Sequence, residues 1–204
     1  MSGGLAIAAV TAVLKNLLEN SFAQNEAVSS FGGVMVTALP LDRITVGTEE
    51  RPQLNLFLYQ VAQNRNADWL SRDRQDQFSR RFKDACSQAA PLALDLHFVL
   101  TAFGTKDYQT DLLLGFVMQL FHQTPVLRRD TISSSLKHAA EVNTAGIFAQ
   151  ALATSSTSAL AEQLGEIKIS PNFLGAEAMS KVWSLLSIPY RASVAYEVSM
   201  VEWH

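Results

Sequence analysis

The sequence predicts an α+β fold, with helices packed on a mainly antiparallel or mixed β-sheet. Three observations lead there. Residues Pro91–Gly104 (PLALDLHFVLTAFG) alternate Leu92, Leu94, Leu96, Phe98 and Leu100 with Ala93, Asp95, His97, Val99 and Thr101. That is the period-two pattern of a strand with one face on a core. Leu54–Asn64 and Arg191–Trp203 alternate in the same way, and segments with apolar residues at helical spacing lie around all three.

Taken in order, residues 5–20 set Ile7, Val10, Leu14, Leu17 and Leu18 on one helical stripe, with Lys15, Asn16 and Glu19 elsewhere. Residues 21–33 are polar and carry Ser29-Ser30 and Gly32-Gly33, so they read as a loop. Val34–Leu39 reads as a short strand stopped by Pro40, and Ile44–Val46 is a candidate for another. In Leu54–Asn64 apolar residues occur on both sides from Leu56 to Val61. This strand is therefore expected to be covered on both faces or to lie at an interface.

Residues 65–90 break the pattern. Arg65, Arg72, Arg74, Arg80, Arg81 and Lys83 alternate with Asp68, Asp73, Asp76 and Asp84, and Trp69, Leu70, Phe78 and Phe82 are scattered among them. A connection this long is either functional or disordered. One reading is a solvated excursion with a short helix near Gln77–Cys86. The other is a loop that orders against a partner, since aromatic and arginine side chains dominate binding hot spots. Its candidate contacts are Arg65, Trp69, Arg72, Arg74, Phe78, Arg80 and Arg81. Because no helical crossover is needed between 64 and 91, the flanking strands are expected to pair antiparallel.

Pro91–Gly104 is then the central strand, ended by Gly104 with Lys106-Asp107. Tyr108–Thr124 follows as a helix with Leu113, Phe116, Val117, Leu120 and Phe121 on one face; Asp111 in its first turn suits the helix dipole, and Pro125 closes it. Ile132, Leu136 and Ala139-Ala140 suggest the next helix, Asn143–Leu152 is a candidate for one more, and residues 153–159 (ATSSTSA) read as a flexible connection. Ile167–Ser170 is a strand ended by Pro171. Ala176–Ser187 is a helix with Met179, Val182, Trp183 and Leu186 at the i, i+3, i+4, i+7 spacing, and Pro189 ends it. In the last strand Val194, Tyr196, Val198 and Met200 alternate with Ser193, Ala195, Glu197 and Ser199. No internal repeat or heptad run is present, and residues 1–204 read as one domain.

Composition narrows the function classes. Hydrophobic residues are 48% and charged residues only 17%, which fits either a large core or a surface partly covered by other protein. A net charge of −3 gives no basic excess to draw the chain to nucleic acid or anionic lipid. Cys86 is the single cysteine, so no intrachain disulfide or thiolate metal cage is open to it. Leu5–Leu14 has the apolar character of a signal-peptide core, yet no Lys or Arg precedes it and it runs on as an amphipathic helix. Nor does any apolar run approach the roughly 20 residues needed to span a bilayer. A soluble protein of cytoplasmic synthesis is expected.

Motifs for chemistry are missing. Neither GxGxxG nor GxxxxGK[ST] occurs, and there is no GxSxG, HExxH or EF-hand loop. His97, His122, His138 and His204 are too scattered to form a ligand pair at helical spacing. Asp95 and His97 point the same way on one strand, an arrangement in which an Asp can orient an imidazole. No nucleophile or further ligand is marked, so a structural hydrogen-bonding pair is the simpler reading. Catalytic, cofactor-binding and metal residues are therefore expected to be none.

Three segments together resemble one family: LNLFLYQVAQNRNADWLSRD (54–73), PLALDLHFVLTAFG (91–104) leading into LLLGFVMQLFHQTPVL (112–127), and KVWSLLSIPYRASVAYEVSMVEW (181–203). The ordered set is similar to the tail-terminator, or cap, proteins of phage-tail-like contractile injection systems, whose shared N-terminal domain was long of unknown function. The resemblance implies a phage tail-terminator-like fold and a structural, non-enzymatic role. Its implied form is a homohexameric ring at the end of the particle away from the baseplate. Its implied partners are the last sheath layer and the inner tube or a tube terminator, with no nucleic acid and no membrane insertion. The particle would be assembled in the cytoplasm and then released or kept at the cell. Within that picture the strand 191–203 is expected at a sheet edge, able to accept an extended arm, with Ser193, Glu197 and Ser199 facing outward. Two other readings stay open: a small enzyme using Asp95 and His97, and a monomeric assembly adaptor or chaperone.

Overall fold

The structure, a computed structural model, describes residues 5–29, 32–44, 51–64, 92–142, 150–151 and 156–202. Helix α1 (Ala6–Gln24) and a one-turn helix α2 (Glu26–Ser29) lead to strand β1 (Met35–Thr37) and a 3-10 turn at Leu41–Arg43. Strands β2 (Gln53–Gln63) and β3 (Leu92–Phe103) follow, then α3 (Gln109–Gln123), β4 (Val126–Leu127), α4 (Arg129–Val142) and α5 (Thr157–Leu164). The chain continues through β5 (Ile167–Pro171), α6 (Ala176–Leu185) and β6 (Ser193–Glu202). All six strands form one sheet in the order β1-β2-β3-β6-β5-β4. The pair β1–β2 is parallel and the others are antiparallel, so the α+β class with a mixed sheet is what the chain adopts.

β3 is central, as its alternation implies. It pairs with β2 from Gln53↔Phe103 to Gln63↔Leu94 and with β6 from Leu92↔Glu202 to Thr101↔Ser193. Leu96, Phe98 and Leu100 are fully buried on one face, in a core they share with Val10, Leu14 and Leu18 of α1, Leu113 and Val117 of α3, Ile132 and Leu136 of α4, and Leu160 and Leu164 of α5. Burying each such side chain stabilises the fold by about 1.5–3 kcal/mol. On the opposite face Val99 and Ala195 pack against Met179 and Trp183 of α6 and Leu41 of the 3-10 turn. β2 is covered on both faces along part of its length, with Leu54 and Leu56 in the first core and Phe57 and Tyr59 against the second. A register shift between Leu58 and Gln60 then reverses the alternation, so that Gln60 lies opposite His97 and Val61 opposite Leu96.

Several expectations change. α1 runs on to Gln24 because Phe22 continues the buried stripe, so the expected loop 21–33 is helical over much of its length. Asn25, with extended backbone, ends it. Of the flexible connection expected at 153–159, residues 153–155 lie outside the described residues and Thr157–Ala159 are helical: Ser156 caps α5 by accepting from the Ala159 amide, and Leu160, Ala161 and Leu164 bury one face. Ile44 follows a 3-10 turn, and the rest of the strand considered at 44–46 lies outside the described residues, as do the short helix near 77–86 and most of 143–152. β6, expected at an edge, lies between β3 and β5. Val194, Tyr196, Val198 and Met200 face one apolar layer, and Ala195 is buried on the other side.

The short β1 is held by a side chain as much as by its own pairing. Asn55 of β2 is fully buried, and its amide nitrogen donates to the Leu39 carbonyl at 2.9 Å. Its oxygen accepts from the Leu39 amide at 3.0 Å and from Thr37 Oγ1 at 2.8 Å. One asparagine thus extends the parallel pairing past the end of β1. Asn55→Leu, near in size but without donors or acceptors, strands these groups. It is expected to lower unfolding free energy by about 1–3 kcal/mol, read by urea denaturation.

Candidate interaction surface

The second face of the sheet is covered by α6 around Val99 and Ala195. Farther along the same strands it turns polar, with Asp95 and His97 of β3 opposite Ser199 and Glu197 of β6. Asp95 Oδ1 accepts from Asn64 Nδ2 at 2.9 Å and from Ser199 Oγ at 2.6 Å, which ties the end of β2 and the length of β6 to the central strand. The His97 ring is tilted by 47° to the Tyr59 ring, with centroids 5.9 Å apart. Its Nδ1 lies 3.4 Å from Asn172 Nδ2 and 3.8 Å from Glu197 Oε2. The two side chains differ in exposure, His97 at 14% and Glu197 at 40%.

Asp95 and His97 therefore share a face but not a task. Each has its own neighbours, and the geometry is that of cross-strand hydrogen bonding. Among the described residues no group of three His, Cys, Asp or Glu side chains is placed to hold a metal ion. Among them, too, no helix is long and apolar enough to cross a membrane. Burial, and secondly the negative charge of Glu197, push the Tyr59 phenol above its ordinary value. Burial alone does the same for Tyr196, which packs edge-on to Phe121.

Of the candidate contact residues, Arg65, Trp69, Arg72, Arg74, Phe78, Arg80 and Arg81 lie outside the described residues. Ser193, Glu197 and Ser199 sit on an interior strand, so none of them marks an edge. Ser193 Oγ donates to the Arg191 carbonyl at 2.8 Å and lies 3.2 Å from Thr101 Oγ1, while Ser199 is engaged by Asp95 and the Glu197 side chain is partly exposed. Among the described residues, unpaired strand edges lie elsewhere. β1 pairs only with Gln53–Asn55, and among the described residues no strand covers the outer side of Leu56–Gln63.

Exposed apolar side chains form a second kind of surface that sequence patterning missed. On α3, Leu112 and Met118 are exposed, and a groove of about 720 Å³ is lined by Tyr108, Asp111, Leu112, Gly115, Phe116 and Gln119. Tyr108 stands 75% exposed with φ of 64°, a left-handed conformation unusual for a bulky residue. Just before α6, Phe173 is 86% exposed, and Leu185, the last residue of that helix, is 84% exposed. The signal that could have exposed this is that α3 is apolar on nearly every side: QTDLLLGFVMQLFHQ holds one acid and no Lys or Arg. A helix of that kind is built to be covered all round.

The described residues thus form an α+β sheet with apolar helix faces turned to solvent. A solved extracellular contractile injection system, its PVC sheath/tube terminator in the extended state, has the same fold with a TM-score of 0.52 at 13% identity. The match covers 96% of this chain and 56% of that one, so the chain spans little more than half of that terminator's length. The tube-terminating cap of the anti-feeding prophage is more distant, with a TM-score of 0.42 at 11% identity over 81% of this chain and 48% of its own. Comparison with curated protein sequences gives no match. The chain belongs to the Pvc16 N-terminal domain family, whose sequence model matches residues 9–203, and this bears out the resemblance read from the three segments.

The raised phenols predict a pH dependence. A folded-state value above the unfolded one means that the folded protein holds its proton longer. Stability is therefore full below the ordinary tyrosine value of 10.0 and is lost as pH rises through the raised folded values. Denaturation followed across alkaline pH is expected to show that decline, and Tyr59→Phe to make it shallower.

Proposed function

We propose that this chain is a terminator of a contractile injection system: a non-catalytic part that closes the baseplate-distal end of the particle. In this reading copies form a ring, six-fold as the family resemblance implies, and hold the last layers of inner tube and sheath. The observation that carries it is the fold shared with a sheath/tube terminator over 96% of the chain. The physical character of the surface supports it. Apolar helix faces left open in one copy suit a protein that works by being covered, and the polar half of the sheet is taken up with bonds between strands.

Partner contacts follow from the same surfaces. An extended arm from sheath or tube would add to the outer side of β2 beyond Asn55, which no strand covers among the described residues, rather than to β6; β2 carries no charged residue from Gln53 to Asn64. The arginine- and aromatic-rich segment 65–84 supplies a second contact through Arg65, Trp69, Arg72, Arg74, Phe78, Arg80 and Arg81, and Glu197 a third on the open sheet face. Synthesis and assembly in the cytoplasm, before release or anchoring of the particle, complete the picture.

Electron microscopy of particles from cells lacking the protein tests the reading directly. Sheaths and tubes are expected to be unstable, absent or uncontrolled in length, and normally finished particles would defeat it. His97→Ala is expected to leave particle number and length unchanged in the same images. Substrate turnover by the purified protein that His97→Ala abolishes would instead bring back a chemical role for that residue.

A further inference from the structure

Two features of the surface remain without a task, and they lie on opposite faces of the sheet. α3 packs through Leu113, Val117 and Phe121 on the face shared with α1, while α6 packs through Met179 and Trp183 on the other. The α3 groove is centred on Gly115, where an added Cβ would meet nothing within 4 Å. A glycine in a helix interior weakens the helix relative to alanine, and here no contact of the described residues requires it. What such a glycine permits is close approach of another backbone from outside. On the α6 side, Phe173 and Leu185 project almost fully into solvent at the two ends of the helix.

We propose that copies of this chain join head to tail, α6 of one copy with Phe173 and Leu185 seating along the α3 groove around Gly115 of the next. Lengths agree: the ten residues of α6 span roughly 15 Å and the twelve from Tyr108 to Gln119 roughly 18 Å. Charge agrees too. Asp111 is the one acid of α3, and Lys181 is the one cation of α6. Among the described residues Lys181 pairs with Glu177, at 2.7 Å and exposed to solvent, so it is available to Asp111 at little loss. The sheet separates knob from groove within one copy, so the two meet only between copies. A contact that joins two different patches is heterologous, and it closes into a ring when the rotation between copies allows. The proposal deepens the terminator reading and rests on it.

The test uses the full chain, with mass measured by light scattering and native mass spectrometry over a range of concentrations. Phe173→Asp removes the knob and Gly115→Gln fills the groove. Both positions face solvent, so both variants are expected to fold, and Gly115→Gln to melt higher because it replaces a helix-interior glycine. Each is expected to weaken self-association roughly 30-fold or more, the size of a hot-spot loss. Mixing the two is the decisive step. One intact knob then meets one intact groove, giving a 1:1 pair that grows no further. Wild-type association by either variant, no pair on mixing, or a wild type that is monomeric at every concentration overturns the contact. Rings that persist in both variants would defeat this interface and leave the terminator reading standing. Normally finished particles in cells without the protein would defeat that reading, whatever the variants do.

Discussion

The position of β3 is the constraint on which the rest depends. Its Leu96, Phe98 and Leu100 are buried against four helices, its Val99 against α6, and both of its edges are hydrogen-bonded along nearly their whole length. A strand so placed leaves its neighbours little freedom. β2 and β6 must run antiparallel to it, in the register that brings Leu58 and Tyr196 beside Phe98. A slip of one residue on either side would turn every apolar side chain to the wrong face.

From that constraint comes the division of the second face. Where α6 covers it, the strands carry Val99 and Ala195; where α6 stops, they carry Asp95, His97, Glu197 and Ser199. The polar half has the look of chemistry in a linear reading because Asp and His recur two apart. In the folded protein Asp95 bonds to Asn64 and Ser199, while His97 sits among Tyr59, Asn172 and Glu197. Three segments far apart in the chain supply these partners, so their arrangement serves to lock strands together.

The surface follows a different logic from the core. A monomer gains nothing from Phe173, Leu185 or the outer side of α3 standing in water, and a glycine at the middle of α3 lowers that helix's own stability. These costs make sense where neighbouring protein covers them. That view joins the low charge content to the family and the fold: the chain belongs to the Pvc16 N-terminal domain family and shares its architecture with a solved sheath/tube terminator.

Local patterning by itself determined the three long strands, the centrality of β3, the antiparallel pairing of β2 with β3, and the helices around Leu113, Leu136 and Trp183. Side-chain alternation and helical spacing are properties of neighbours in the chain, and a strong pattern survives any packing. Tertiary structure alone decided that β6 lies inside the sheet, that Thr157–Leu164 is a helix, and that Asn55 holds β1 by its side chain. It also decided which apolar residues of α3 and α6 stay uncovered. Each of these depends on what lies on the far side of a residue. A sequence records which side chains are apolar, but only the packed chain shows which of them have met a partner.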